Sequence, residues 1–185
     1  MKVVARYSHH DGRTRIEKDY PTELHEIYEV IASVDASTAI TKVSKEKTTP
    51  GKKLYNPTEL NKRFKSEFGR HGWKKVRIRV KTEVPLESGS TLQHKGYREM
   101  DFVKNKLGVE VQFGKYAFMV YNVSAKMTIF HQQGIIDAGV EIVAMKSMQK
   151  NMSTGVSFFE QFKTDLEMRG VADIDIPVLI VGIVQ

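Results

Sequence analysis

The stretch Met100–Phe118, MDFVKNKLGVEVQFGKYAF, has the pattern of two short strands joined by a turn. In its second half, VEVQF, apolar residues alternate with Glu110 and Gln112. Period two puts that acid and that amide on one face of a strand and turns the apolar residues towards a core. MDFV before it is also strand-like, and KNKLG between the two predicts the turn. We therefore expect a fold built around a sheet.

The same hairpin brings two acids together. If the turn is centred between Asn105 and Lys106, Asp101 lies directly opposite Glu110. Side chains so paired have Cβ atoms about 5 Å apart, and like charges there repel. The repulsion is relieved when both carboxylates share a cation, and magnesium takes one or two carboxylates together with water and substrate phosphate. The pair therefore suggests a site for Mg²⁺.

Gln112 lies two residues beyond the glutamate and points to the same place. A metal-dependent nuclease would usually carry a lysine there, which would neutralise developing negative charge. The amide of Gln112 can donate and accept hydrogen bonds, so it can position water, but it carries no charge. The residues alone leave three interpretations open: a phosphodiester-cleaving site with one part exchanged, an inactive relic of such a site, and an ordinary charged surface hairpin.

The rest of the chain predicts a single α/β domain on a mixed sheet. Strands are expected at Val3–Ser8, Trp73–Val84, Val140–Lys146 and Ile176–Val184, the second with a cationic face and the last buried on both faces. Helices are expected after Thr22 as a cap, after Asn56 with Pro57 in the first turn, and after the loop Asn151–Phe158. Pro85–Lys95 predicts a mobile polar loop, and Ser44–Lys53 a basic loop.

Length and charge narrow the class of protein. A chain of 185 residues, 41% hydrophobic and 28% charged, is enough for one globular domain, residues 1–185. It has no cysteine, which excludes disulfides and thiolate zinc sites. Twenty-nine Lys and Arg against 22 acids give a net charge of +7, which favours a polyanionic partner such as nucleic acid. Because it shows neither a signal peptide nor a membrane-spanning stretch, we expect a cytoplasmic protein without a membrane partner.

At Asp101, Glu110 and Gln112 the sequence resembles the BglII/BstYI branch of type II restriction endonucleases, within the PD-(D/E)XK nuclease superfamily. The signature of this branch is an acid, eight residues, then Glu-x-Gln, and DFVKNKLGVEVQFGKYAF is similar to the BstYI type. Further similar stretches follow in order along the chain: SKEKT (Ser44–Thr48), LYNPTELN (Leu54–Asn61), DAGVEIVAMK (Asp137–Lys146), MSTGVSFFE (Met152–Glu160) and the PVLIVGI end. Residues 76–95 are the least similar and look shorter than in relatives, so we expect a variable, mobile segment there.

This resemblance implies an α/β fold of the restriction-endonuclease type, with a mixed central sheet flanked by helices. It also implies Mg²⁺-dependent cleavage of double-stranded DNA by a homodimer at a short palindrome, RGATCY or its narrower form AGATCT. Gln112 is then the normal residue of the branch and a catalytic one, beside Asp101 and Glu110 as catalytic metal ligands.

The resemblance further implies which residues read the DNA sequence. Lys115 matches a basic residue used at base edges, although a lone lysine at a strand end is more often merely solvated. Ser153 and Thr154 resemble a second reading element, although hydroxyls near a helix start more often cap that helix.

The basic loop carries a separate expectation. Lys45 and Lys47 are candidates for phosphate contacts, which fix the register of a protein on DNA without reading its sequence. Glu46 between them is a candidate for a further acid near the metal.

Two other functions compete with a restriction endonuclease. One is a DNA-binding protein of nuclease ancestry that no longer cleaves, and the presence of both Asp101 and Glu110 argues against it. The other is a structure-specific nuclease such as a junction resolvase, against which the similarity in the reading segments argues. A cognate DNA methyltransferase in the same host would separate a restriction enzyme from both.

Overall fold

The computed structural model describes residues 1–47, 49–168 and 176–185, so Thr48 of the SKEKT stretch lies outside the described residues. Its centre is a six-stranded mixed sheet formed by β1 Lys2–His9, β4 Lys74–Pro85, β5 Thr91–Lys104, β6 Leu107–Gln112, β7 Ala138–Ala144 and β8 Val178–Val184. A separate two-stranded sheet pairs β2 Lys42–Val43 with β3 Lys53–Leu54. The large sheet has the order β1-β8-β7-β6-β5-β4. Its three central strands β6, β7 and β8 run parallel, and the outer pairings are antiparallel. The α/β domain with a mixed sheet, predicted from the sequence, is confirmed.

Helices cover both faces of the large sheet. They are α1 Gly12–Asp19, α2 Pro21–Ser33, α3 Pro57–Arg70, α4 Tyr116–Tyr121, α5 Thr128–Gln132, α6 Lys146–Gln149 and α7 Phe159–Met168, with a short 3-10 helix Ser37–Ala39 and a π-helical segment Asn122–Met127 that joins α4 to α5. One hydrophobic core lies between the sheet and α1, α2 and α3. The other lies between the sheet and α4, the π-helical segment, α5 and α7. Within the described residues, no helix is long and apolar enough to cross a membrane.

The sequence predicts the N-cap residue correctly for α3 and wrongly for α2. Asn56 caps α3 as predicted, since its side chain accepts a hydrogen bond from the backbone N–H of Thr58 at 3.0 Å. The prediction that Thr22 caps α2 is wrong, because the helix begins at Pro21, with Tyr20 at the N-cap position. Proline fits a first helical position since its missing N–H has no partner there in any case. The sequence patterns do not predict helix α1, which lies just before α2.

The expected mobile loop Pro85–Lys95 is instead the end of a long hairpin. Strands β4 and β5 pair continuously as far as Pro85 opposite Thr91, so the connecting turn comprises only residues 86–90. The turn contains Gly89 at a φ of 81°, a conformation that glycine adopts without steric cost. Polar composition on both faces of a solvent-exposed hairpin conceals its strand pattern, so the prediction of a loop is wrong, while the mobility of the segment stays a prediction.

Candidate active site

The turn between β5 and β6 sets the register of the acid pair. Asn105 and Lys106 have φ values of 46° and 68°, and a two-residue turn with both φ values positive matches the twist of the strands it joins. Lys104 therefore pairs with Leu107, and the ladder continues to Phe102 opposite Val109. Asp101 and Glu110 come next along the two strands, just beyond the last paired residues. The backbone N–H of Asp101 donates to Glu110 Oε1 at 3.2 Å.

A bulge opens the site at this point. Lys74 pairs with Val103 but Val76 pairs with Met100, so two residues of β5, Asp101 and Phe102, stand opposite one residue of β4. An extra residue bends its strand and redirects its side chains. Strand β5 pairs with β6 only through Phe102, Val103 and Lys104. A cleft of about 250 Å³, bounded also by helix α3, lies beside Asp101 where that pairing ends.

Glu110 is almost fully buried, with 2% of its surface exposed. Its Oε1 forms an ion pair with Lys126 Nζ at 2.8 Å, and Lys126 comes from the π-helical segment across the face of the sheet. Burial, and next the negative charge of Asp101, raise the pKa of Glu110 to about 8, although Lys126 opposes both effects. In the absence of metal, this carboxyl group therefore holds its proton at neutral pH more often than not.

A third acid lies behind the pair. Glu141 on β7 is the parallel-strand neighbour of Glu110 and is fully buried. Its Oε1 accepts a hydrogen bond from Asn122 Nδ2 at 3.1 Å, and its Oε2 has no hydrogen-bond partner in the described part of the chain. Burial, and next the charge of Glu110, raise the pKa of Glu141 well above its usual value.

Sequence reasoning missed Lys126, Asn122 and Glu141. A signal was present for Glu141, because an acid inside the otherwise apolar strand AGVEIVA is rarely buried without a reason. No local pattern links Lys126 to the acid pair, since only helix-to-sheet packing brings the two together.

The donor set fits a hard divalent cation. Asp101 and Glu110 lie on neighbouring strands, the backbone N–H of Asp101 donates to Glu110 Oε1, and Asp101 lines an open cleft. Magnesium uses one or two carboxylates and completes its shell with water and phosphate. No group of three or more His, Cys, Asp or Glu side chains that could hold a metal occurs within residues 1–47, 49–168 and 176–185. Asp101 and Glu110 are therefore the residues that could hold Mg²⁺, without a third side-chain ligand.

Gln112 ends β6, on the same face as Glu110 and half-buried. Its Nε2 donates to the backbone carbonyl of Lys115 at 3.4 Å, a long hydrogen bond that leaves the amide oxygen available. Lys115 itself is exposed and occupies the N-cap position of α4.

The two predicted reading elements lie side by side. An antiparallel bridge pairs Lys115 with Val156, and Tyr116 N–H donates to the carbonyl of Gly155 at 3.3 Å. The loop that carries Ser153 and Thr154 is thus joined to the segment after Gln112. Helix α7 begins at Phe159, so neither hydroxyl is at its N-cap position, and the interpretation of these residues as helix caps is wrong.

The hydroxyls of Ser153 and Thr154 contact β2 and the basic loop instead. Lys42 Nζ donates to Ser153 Oγ, and Thr154 donates to Glu46 through both its backbone N–H and its hydroxyl. These hydrogen bonds, the one from the hydroxyl first, lower the pKa of Glu46. Glu46 thus lies against the loop of Ser153 and Thr154.

Lys45 and Lys47, on either side of Glu46, are exposed. Both side chains are accessible to a partner beside the loop of Ser153 and Thr154.

Comparison with solved structures supports the fold. The chain is similar to a crystal structure of restriction endonuclease BglII complexed with a DNA 16-mer, with a TM-score of 0.74, 20% sequence identity, and coverage of 100% of this chain and 77% of that one. It is also similar to free BglII, with a TM-score of 0.64, 18% identity, and coverage of 100% and 80%. No curated protein sequence matches the chain.

The family comparison decides membership. The family model described as restriction endonuclease BglII/BglIII matches residues 4–183 of the chain, nearly its whole length. That match includes Asp101, Glu110, Gln112 and the loops Ser44–Lys53 and Asn151–Phe158. The chain therefore belongs to the BglII/BglIII family of restriction endonucleases and is a site-specific deoxyribonuclease.

Proposed function

We propose that this chain is a Mg²⁺-dependent type II restriction endonuclease that cleaves double-stranded DNA, as a homodimer, at RGATCY or its narrower form AGATCT. The observation that carries the proposal is the contact between Asp101 and Glu110, in which the backbone N–H of Asp101 donates to Glu110 Oε1, in a chain of this family and with Asp101 at an open cleft. The net charge of +7 supports a phosphate-rich substrate.

Asp101 and Glu110 would hold the metal in this mechanism. A bound Mg²⁺ would supply Lewis-acid polarisation of the scissile phosphate and a lower pKa for a bound water. Glu110 Oε1 accepts from Asp101 N–H and pairs with Lys126, so Oε2 is the oxygen that Glu110 would offer to the metal. Asp101 is half-buried at the cleft and supplies the second carboxylate.

Gln112 orients the attacking water. It lies two residues beyond Glu110 on the same strand face, and its amide donates one hydrogen bond to Lys115 O while its oxygen can accept another. The side chain carries no charge, so it contributes geometry without Coulombic stabilisation of the transition state.

Sequence recognition falls to the paired reading elements. Lys115 donates to guanine O6 and N7 in the major groove, and the hydroxyl of Ser153 or Thr154 serves the inner A·T pair as donor or acceptor. Lys45 and Lys47 contact phosphates, which set register without reading sequence.

A palindromic site is read by two copies of one chain, so we infer a homodimer in which each subunit cleaves one strand. We further infer a cytoplasmic enzyme and a cognate DNA methyltransferase in the same host, because the host's own sites need protection.

The test is plasmid digestion with the wild type and with Asp101→Asn, followed by sequencing of the ends. The variant should not cleave, while its binding to cognate DNA without metal should be retained or tighter, because one negative charge near the phosphate is removed. Calcium should support binding of the wild type without cleavage, because it tolerates loose coordination and activates water poorly.

Asp137→Asn is the matched control. Asp137 is also a half-buried acid, but it pairs with Lys106 at 3.6 Å beside the turn that joins β5 to β6, so this variant should cleave normally. Cleavage by Asp101→Asn at the wild-type rate would remove Asp101 from the metal site. Ends that share no GATC core would refute the specificity and leave the nuclease activity standing.

A further inference from the structure

The proposed active site contains three acids, and Lys126 forms an ion pair with one of them. Asp101, Glu110 and Glu141 lie on neighbouring strands, and Gln112, the residue that follows Glu110 on the same strand face, carries no charge. Burying a carboxylate without a positive charge or hydrogen-bond donor beside it costs free energy, because charge is poorly solvated in the interior of a protein. The cation in direct contact with this cluster is Lys126, which lies 2.8 Å from Glu110 Oε1.

This ion pair differs from the others in its burial. Among the ion pairs of the described residues it is the most buried, with 12% of the Lys126 side chain and 3% of the Glu110 side chain exposed. Exposed pairs contribute little, and a buried pair often stabilises a fold no better than apolar side chains of the same size. Stability alone is therefore a weak reason for a buried Lys–Glu pair beside a cleft.

The helical segment that carries Lys126 packs against the sheet close to Glu110. Residues Asn122–Met127 are π-helical, a conformation that is rare and frequent at functional sites. Gly139 lets the helix approach the sheet, since a Cβ there would come 2.5 Å from Met127 Sδ. Asn122, one turn before Lys126, anchors the segment by its hydrogen bond to Glu141.

We propose that Lys126 is a positioning residue of the active site. Its ammonium group binds Oε1 of Glu110 and leaves Oε2 available to the metal. Gln112 on strand β6 carries no charge, and Lys126 on the π-helical segment supplies the positive charge of the site instead. Without it, Glu110 Oε1 loses its charged partner, and the carboxyl group is no longer held in its place beside Asp101. The inference rests on the proposed metal-dependent nuclease and adds one residue to it.

The test removes the positive charge at residue 126 and then introduces one at residue 112. Lys126→Met should reduce the single-turnover cleavage rate at saturating Mg²⁺ by about 10²-fold or more, the size of effect seen when one preorganised donor is removed. Adding Gln112→Lys to that variant should recover at least about tenfold of the loss, because the charge returns from the strand side. Gln112→Lys alone should not accelerate the wild type, which already has its cation.

A second measurement needs neither metal nor cleavage. At a pH well above 8, where Glu110 is ionised, Lys126→Met should weaken binding to cognate DNA in EDTA, because an uncompensated carboxylate then faces the phosphates. The double variant Lys126→Met, Glu110→Gln should restore that binding, since removal of both charges returns the site to its original net charge. If the double variant binds as weakly as Lys126→Met, Lys126 does not act through Glu110.

Lys104→Met is the matched control. Lys104 lies on β5, outside the active site, and its Nζ forms a half-buried ion pair with Glu26 at 2.6 Å. This variant should therefore have a lower melting temperature and keep the wild-type cleavage rate. If Lys126→Met does not fold, Lys126→Gln gives the same comparison with a hydrogen-bonding but uncharged side chain.

A folded Lys126 variant that cleaves at the wild-type rate overturns the inference. A wild type that does not cleave at all refutes the proposed function instead, and the binding measurements in EDTA still test Lys126.

Discussion

The raised pKa of Glu110 predicts that Mg²⁺ activation depends strongly on pH. Burial first, and the charge of Asp101 next, raise the pKa of Glu110 to about 8 against the influence of Lys126. A protonated carboxyl is a poor metal ligand, so Mg²⁺ must displace this proton when it binds. Lowering the pH from 8 to 6 should therefore weaken activation by Mg²⁺.

The size of the effect follows from the proton alone. Below a pKa of about 8, each pH unit reduces the ionised fraction of Glu110 about tenfold. The Mg²⁺ concentration that gives half-maximal rate should then rise about fivefold between pH 8 and pH 7, because the group is half ionised at pH 8, and about tenfold between pH 7 and pH 6. Enough Mg²⁺ pulls the group into its ionised form, so the maximal rate should change less than the half-saturating concentration.

The assay is the initial rate of plasmid cleavage as a function of MgCl₂ concentration at pH 6, 7 and 8, at constant ionic strength. DNA binding in EDTA over the same pH range is the control for general effects on the protein. A half-saturating Mg²⁺ concentration that stays constant from pH 6 to pH 8 would show that Glu110 is already ionised, and would refute the link between its burial and metal loading.

The same group should make the metal-free protein less stable as the pH rises. Because the folded-state pKa of Glu110 lies above the unfolded value of 4.5, its contribution to stability is fully present below pH 4.5 and is lost as the pH rises to about 8. The slope from this one group is at most about 1.4 kcal/mol per pH unit. Thermal melts in EDTA should show a melting temperature that falls between pH 6 and pH 8, and Glu110→Gln should flatten that fall.

Other substitutions test the remaining residues. Gln112→Ala should cost on the order of 10²-fold in cleavage rate if its hydrogen bonds orient water, and a near-neutral result in single-turnover kinetics would show the side chain to be a bystander. Lys115→Ala should weaken binding to the cognate site at least about tenfold, since a good base contact is worth roughly 1–3 kcal/mol in each half-site, and should spare non-specific binding. Lys45→Ala or Lys47→Ala should instead weaken both kinds of binding in a salt titration, and flatten the salt slope by about one for each phosphate that a subunit no longer neutralises. Asn56→Ala should cost about 1 kcal/mol in denaturant unfolding by removing the cap of α3, and an unchanged midpoint would contradict the role of its hydrogen bond to Thr58.

Local sequence determined much of the sheet. Alternation within VEVQF and the position of Asn105 and Lys106 were enough to predict a hairpin with Asp101 beside Glu110, because strand period and turn length fix register between neighbours. The cap at Asn56 and the buried strand near the C-terminus were also readable, since each depends on residues close together in the chain.

Tertiary structure decided which side chains surround Asp101 and Glu110. The ion pair of Lys126 with Glu110 and the bond from Asn122 to Glu141 join a helix to strands on either side of it in the chain, and no periodicity encodes such contacts. The contact between Glu46 and Thr154 likewise spans most of the chain.

The pKa of Glu110 is the clearest case of this division. The sequence by itself supplied two acids at the correct spacing, and the resemblance to a nuclease family supplied their expected role. Whether such an acid is charged depends on how much water the fold removes from it and on which cation the fold brings near. Burial under the π-helical segment and the arrival of Lys126 are properties of packing, and packing is set by the whole chain rather than by any stretch of it.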